Sequence, residues 1–296
     1  MDIKNFILFL KCFDGVGDAS VRKLIDNHCL DNLDIQSVDD IISWFTKNIG
    51  YLSPRFDIRT VNKETILSAK NKRHAALSKL EEFNASFITC FDKGYPDVFK
   101  KMKDYPIVLF YKGDLTLLTN EKICSIIGTR KPSPKTQEIG KVLTDQMVQK
   151  GYVILSGLAS GCDTIAHKSC INAGGKTVAI MGTGIDIVFP KENTELAEEI
   201  VGTGGLLITE ELPGTKGASY TFVNRDRLQA ACAESVIVLA SSADGGSMHA
   251  AKAAITKYNK CLMVVDPSCI NQEESTGNLE LINKYGAKSI SSIQDL

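Results

Sequence analysis

ICSIIGTRKPS, residues 123–133, runs from an unbroken apolar stretch into a glycine, a threonine and two adjacent cations. A strand with one wet face alternates apolar and polar residues; a strand covered on both faces does not. ICSII shows no alternation. Similar runs recur at YVILS (152–156), TVAIM (177–181), LLIT (206–209), SVIVLA (235–240) and CLMVV (261–265). A helix-length segment separates most successive pairs, so the pattern predicts an α/β fold with a doubly wound, mostly parallel sheet.

Upstream the periodicity is helical: Phe6, Leu8 and Leu10, then Val21, Leu24 and Ile25, then Ile41, Ile42, Trp44 and Phe45. Gly15, Gly17, Gly50 and Pro54 mark the connections. Residues 1–85 therefore read as a small helical domain and residues 86–296 as the sheet domain, with DYPIVLFYKGD (104–114) as a strand leading in.

The chain has 34 Lys and Arg against 35 Asp and Glu, so any anion-binding surface has to be local. Its nine cysteines include no C-x-x-C pair and no histidine at zinc-ligand spacing. That disfavours a disulfide framework or a structural metal and fits a reducing, cytoplasmic setting. The opening MDIKNFILFLKCFDG is interrupted by Lys11 and Asp14 and reads as neither signal peptide nor membrane span.

In a doubly wound sheet, ligands bind beyond the carboxyl ends of the strands. Those ends read GTRKPS (128–133), GLASGCD (157–163), GTGID (182–186) and SSADGGS (241–247). Glycine permits positive φ and close backbone approach, which let consecutive N–H groups converge on phosphate oxygens. One such turn reads more readily as a tight chain reversal than as a phosphate site; four on one edge reverse that and point to phosphate. Arg130 and Lys131 sit in the first, Lys191 follows the third in VFPKEN, and Arg225 and Arg227 lie in FVNRDRL. Cations from several loops suit a chain of phosphates better than one pyrophosphate.

Other readings fail on position. No G-x-G-x-x-G follows ICSII, and the next strand ends in Ser156 rather than the acid that would hold a ribose. GGKT (174–177) precedes a strand instead of following one, with Cys170 where a P-loop needs glycine. Asp163 and His167 read as a helix cap and a structural imidazole. Asp186 and Glu210 read either as catalytic acids or as anchors for a loop or an arginine. No catalytic residue, metal ligand or cofactor is expected.

Taken together, GYP (94–96), IIGTRKPS, SGLASGCDTIAH (156–167), GTGID with FPKEN, TEELPGT (209–215), FVNRDR (222–227), DGGSMHAAKAA and STGNLELINKYGA (275–287) resemble the DNA-processing protein A (DprA/Smf) family over about residues 88 to 290. The resemblance implies an extended Rossmann-like core behind a SAM-like or helix-hairpin-helix-like N-terminal domain. It further implies single-stranded DNA binding without chemical turnover, protection of incoming DNA, and delivery to a RecA-type recombinase in natural transformation. A homodimer through the Rossmann-like domain is implied as well. Carried over position by position, the groove falls on Gly128, Thr129, Arg130 and Lys131, on Ser156, Gly157, Ser160 and Gly161, and on Lys191 and Asn193. Phe222, Arg225, Arg227, Gly246 and Ser247 complete it.

Three positions depart from the family pattern. The usual R-N-R is Arg225, Asp226, Arg227; a proline before it is Val223; and SGLASGCD has Ser160 where a cation is usual. Both charge changes lower the positive charge of the edge and imply weaker DNA binding. With aromatics at 7%, stacking is left to rings such as Tyr220 and Phe222, and binding is expected to be backbone-dominated and weakly sequence-selective. The alternative class is a nucleotide-processing relative resembling phosphoribohydrolases. Its catalytic Glu would stand at Lys252. A protein-binding scaffold that kept the fold is the third.

Overall fold

The computed structural model describes residues 1–295. Four helices come first: α1 (Ile3–Cys12), α2 (Asp18–Asp26), α3 (Val38–Asn48) and α4 (Lys63–Glu82). Their starts are written locally. Asp2 caps α1 by accepting from Asn5 N–H, and reciprocal capping boxes open α3 (Ser37 with Asp40) and α4 (Asn62 with Thr65).

The sheet region continues through β1 (Ser86–Thr89), α5 (Asp97–Lys100), β2 (Val108–Gly113), β3 (Ile123–Ile127), α6 (Pro134–Gln149), β4 (Val153–Ser156), α7 (Cys162–Asn172) and β5 (Thr177–Ile180). It closes with α8 (Thr194–Gly202), β6 (Leu206–Thr209), α9 (Ser219–Cys232), β7 (Ser235–Val238), α10 (Ser247–Thr256), β8 (Cys261–Val265), α11 (Gln272–Tyr285) and β9 (Lys288–Ile290). Among the described residues these strands form one sheet, ordered β1-β2-β6-β5-β4-β3-β7-β8-β9. From β6 to β9 all neighbours are parallel; β2 joins β6, and β1 joins β2, antiparallel. Each apolar run named above forms one of the parallel strands. β1 and β9, short and at the edges, carry weaker sequence signals.

Both faces are covered. On one, α6 and α7 pack Leu143, Met147 and Ala166 on Cys124, Ile126 and Ile154. On the other, α9, α10 and α11 cover Ile127, Val236, Val238 and Val264. Register explains the division: Cys124 pairs with Ile154 and points to the first face, while Leu155 and Val178 pair one residue on and point to the second.

The four N-terminal helices share a core with the sheet. Phe6, Phe9, Leu24 and Phe45 belong to the same buried cluster as Val108, Phe110 and Leu207. The junction also holds charge: Lys11 Nζ is 2.8 Å from Asp18. Burial opposes the Lys11 charge, but Asp18, Glu210 and Glu211 outweigh it and raise its pKa. Among the described residues no helix is long and apolar enough to cross a membrane.

Candidate nucleic-acid interface

β3 is flanked by β4 on one side and β7 on the other, so successive connections leave it in opposite directions. Beyond its carboxyl end lies a cavity of about 660 Å³ between the first turn and the turn after β7.

The first turn is held at both ends. Thr129 N–H donates to Ala240 O (2.7 Å), tying it to the end of β7, and Thr129 O accepts from Cys162 N–H (3.1 Å) at the start of α7. At the far end Ser133 caps α6, and Glu274 of α11 accepts from Ser133 N–H (3.0 Å), Thr136 Oγ1 (2.8 Å) and Ser133 Oγ. Burial alone would raise the Glu274 pKa; the Ser133 and Thr136 bonds prevail and lower it. Arg130 and Lys131, both exposed, are thus displayed on a short loop between two anchors. Gly128 is required by space, because a Cβ there would lie 2.6 Å from Cys162 Sγ.

The second turn is internally braced. Asp163 accepts from Gly157 N–H (3.1 Å) and Ala159 N–H (3.3 Å), and Leu158 between them has φ +59°, a conformation costly for leucine. Desolvation raises the Asp163 pKa against the pull of Arg225. Gly161 at φ +79° lets Thr129 and Arg130 lie against it; a Cβ would be 2.5 Å from Thr129 O. His167 bonds Thr177 Oγ1 through Nδ1 (2.7 Å), and burial pushes its pKa down to about 3, so it is a neutral structural imidazole.

Several expected groove residues are placed elsewhere. Ser156 is fully buried and donates to Ile126 O (2.6 Å). Asn193 is buried and donates to Leu158 O (2.8 Å), clamping the second turn rather than facing outward. Ser160 bonds Glu192 (3.1 Å), and Lys191 is exposed; neither lines the cavity, nor do Lys131, Gly157 and Gly161.

The two arginines differ most from the expectation. FVNRDRL lies inside α9, not at its start, and residues two apart on a helix project about 200° apart. Arg225 is 7% exposed and runs beneath the second turn, donating from Nη1 to Ile180 O (3.1 Å) and filling the space a Gly157 Cβ would need. Arg227 points away from the cavity, toward the end of β6 and the segment before β2, where Nη2 is 2.7 Å from Glu210 and Nε 3.3 Å from Asp104. It does not join the edge. Asp186, in turn, anchors: it meets Lys79 (2.7 Å) and accepts from Gly214 N–H (2.7 Å).

The turn after β7 supplies the opposite wall. α10 begins at Gly246 and Ser247, which line the cavity, without a side-chain cap; Met248 and His249 N–H turn back to Gly245 O and Gly246 O (3.0 and 3.1 Å). Asn278 of α11 holds this turn by accepting from Ser241 N–H (3.0 Å) and donating to Val265 O (2.9 Å). Gly277 sits so close that a Cβ would be 2.6 Å from Ser241 O. These contacts explain why glycine and asparagine stand in STGNLELINKYGA. Lys252 is held by Glu280 (3.3 Å).

Gly128, Thr129, Arg130, Phe222, Gly246 and Ser247 are thus brought to one cavity, with Arg225 behind them. Phe189, 51% exposed, and Asp226 also line it, and neither was selected as a binding residue from sequence. An aromatic in a turn just before proline was the available signal for Phe189. Asp226 is 9% exposed; burial raises its pKa to about 6, with Arg225 offsetting only part.

The family model for DNA recombination-mediator protein A matches residues 86–296. The chain belongs to that family. It is 33% identical over 248 residues to DNA processing protein DprA of Bacillus subtilis, covering 81% of this chain and 82% of that one. The crystal structure of DprA from Streptococcus pneumoniae superposes with TM-score 0.79 at 29% identity, covering 100% of this chain and 97% of that one. A Helicobacter pylori DNA processing protein A, described for its unique single-stranded DNA binding mode, matches with TM-score 0.63 at 31% identity, over 71% of this chain and 93% of that one. DprA membership and the Rossmann-like core stated from the motifs both hold.

Proposed function

We propose that this DprA-family member binds single-stranded DNA along the carboxyl edge of its sheet, protects it, and passes it to a RecA-type recombinase, without chemical turnover. The observation that carries the reading is the cavity at the switch point, where exposed Arg130 stands beside the glycine turn and the uncapped start of α10. Backbone N–H groups and a guanidinium are what successive phosphates require. The relatives' names and the single-stranded DNA binding mode for which the Helicobacter protein is described support the same reading. Two such edges in a homodimer through the Rossmann-like domain would lay one strand across both copies. In this proposal Lys131 and Lys191 act as outlying phosphate contacts, while Arg225, Asn193 and Ser156 hold the turns in shape.

Fluorescence anisotropy of a labelled oligothymidine tests it across a salt series. Wild-type binding should weaken steeply with salt, and Arg130→Ala should lower the log–log salt slope by about 0.7, the value for one phosphate contact on a single strand. Affinity indifferent to salt would dismiss the phosphate reading. The recombinase step is checked separately, by whether the protein speeds filament assembly of a RecA-type recombinase on single-stranded DNA.

A further inference from the structure

We propose that single-stranded DNA leaving the carboxyl edge of the sheet continues down the groove between α6 and α7, with Lys141 and Lys168 as phosphate contacts on its two rims; this rests on the single-stranded DNA reading above. The groove holds a cavity of about 460 Å³ that shares no lining residue with the one at the switch point. Gln137, Lys141 and Asp145 line it from α6, each about one helical turn from the next, and Thr164, Ile165 and Lys168 line it from α7.

The direction of the groove follows from the fold. α6 leaves the carboxyl end of β3 and α7 that of β4, and these strands are parallel neighbours, so both helices run back from the same edge side by side. Its upper end lies against the two glycine turns: Gln137 Nε2 donates to Pro132 O (3.1 Å) in the first, and Thr164 Oγ1 donates to Ala159 O (2.8 Å) in the second. From Gln137 to Asp145 it extends about 12 Å, at 1.5 Å per residue.

Its charges are ordered along that length. Lys141 and Lys168 are exposed, and neither belongs to an ion pair among the described residues. Lys11, Lys79 and Lys252, by contrast, each meet a carboxylate. The one carboxylate lining the groove, Asp145, stands at the end away from the edge, where it accepts from Gln149 Nε2 (2.7 Å). Cations in the middle and an anion at the far end draw a polyanion in from the edge and stop it there. Between the rims, half-buried Ile165 offers carbon. The occupant must therefore be flexible, charged at every repeat and apolar in between, and it must arrive at the glycine turns. A single strand meets all of these. A duplex, stiff over about 150 base pairs, cannot bend from the edge onto the helical face within one turn.

Anisotropy of labelled oligothymidines of about 6 and about 15 nucleotides, both within the range of one single-strand site, tests this on the whole chain. The short strand covers the edge; the long one reaches the groove. Lys141→Gln/Lys168→Gln should lower the log–log salt slope of the long strand by about 1.4, two contacts at about 0.7 each, and leave that of the short strand at the wild-type value. Between about 50 and 200 mM salt, the wild type should thus lose about sevenfold more affinity for the long strand than the double variant does. Arg130→Ala should instead lower both slopes alike, and Lys141→Arg/Lys168→Arg should keep them. Lys47→Gln/Lys63→Gln removes the same charge from α3 and α4 and should leave both slopes unchanged. A long-strand slope unaltered in the groove variant, lowered equally by the α3 and α4 pair, or matched by an equal fall for the short strand would overturn the groove and leave the edge in place. If no strand binds the wild type, the DNA reading fails first and the groove with it.

Discussion

Asp226 shows what a single carboxylate costs when it is buried beside only one arginine. Its pKa is raised to about 6, burial outweighing Arg225, so the folded state holds the proton more tightly than the unfolded chain. The sign follows from linkage: the penalty is absent below the unfolded value near 3.8, grows as pH rises, and is complete above about 6. Asp226→Asn, which restores the family's usual residue, should therefore stabilise the fold by about 1–3 kcal/mol at alkaline pH and hardly at all near pH 4. Urea unfolding at both pH values checks this. Equal gains at both would show that packing, not ionisation, is responsible. The same carboxylate gives the cavity two cations, Arg130 and Arg225, against two acids, Asp163 and Asp226. The edge is consequently less basic than its glycine turns suggest, as the departure from R-N-R implied.

Helix α9 separates two arginines that stand only two residues apart in sequence. Because it begins at Ser219, Arg225 is carried under the glycine turns and Arg227 to Glu210 at the end of β6. Arg227→Ala would leave Glu210 buried without its partner, and removal of one member of a buried pair costs about 3–5 kcal/mol. The expected outcome is a large fall in the denaturation midpoint with a DNA salt slope like that of the wild type. A slope reduced as in Arg130→Ala would return Arg227 to the phosphate path. α11 acts on the site from a distance: Glu274 secures the first turn, and Gly277 and Asn278 secure the last. One helix thus fixes the spacing between the two walls of the cavity.

Across the whole chain, the helices of residues 3–82 and the strands from Ser86 onward share one buried cluster and the Lys11, Asp18, Glu210 and Arg227 charges. The single tryptophan, Trp44, lies in the helical layer, packed edge-on against Phe6 and Phe45. Its fluorescence reports that layer alone, while far-UV circular dichroism reports the entire fold. A shared core predicts coincident urea transitions by the two probes. A Trp44 transition at lower urea would show that residues 1–85 unfold as a separate domain. The coupling bears on function, because Lys79 of α4 links the helical layer to the GTGID loop through Asp186.

The parallel strands, the doubly wound order of the fold and the four turns were legible in the sequence because burial on both faces leaves a local mark. An uninterrupted apolar run needs no knowledge of its neighbours to be read, and ICSII, TVAIM and LLIT each carry it. The placement of Arg130 at the cavity was legible for the same reason: a cation two residues past the glycine of a strand-end turn has few places to go. The roles of Arg225, Arg227, Asn193 and Asp226 were decided only in three dimensions. A polar side chain takes its role from the partners that packing brings to it, and here those partners, Ile180 O, Glu210, Leu158 O and the open cavity, are supplied by other segments of the chain.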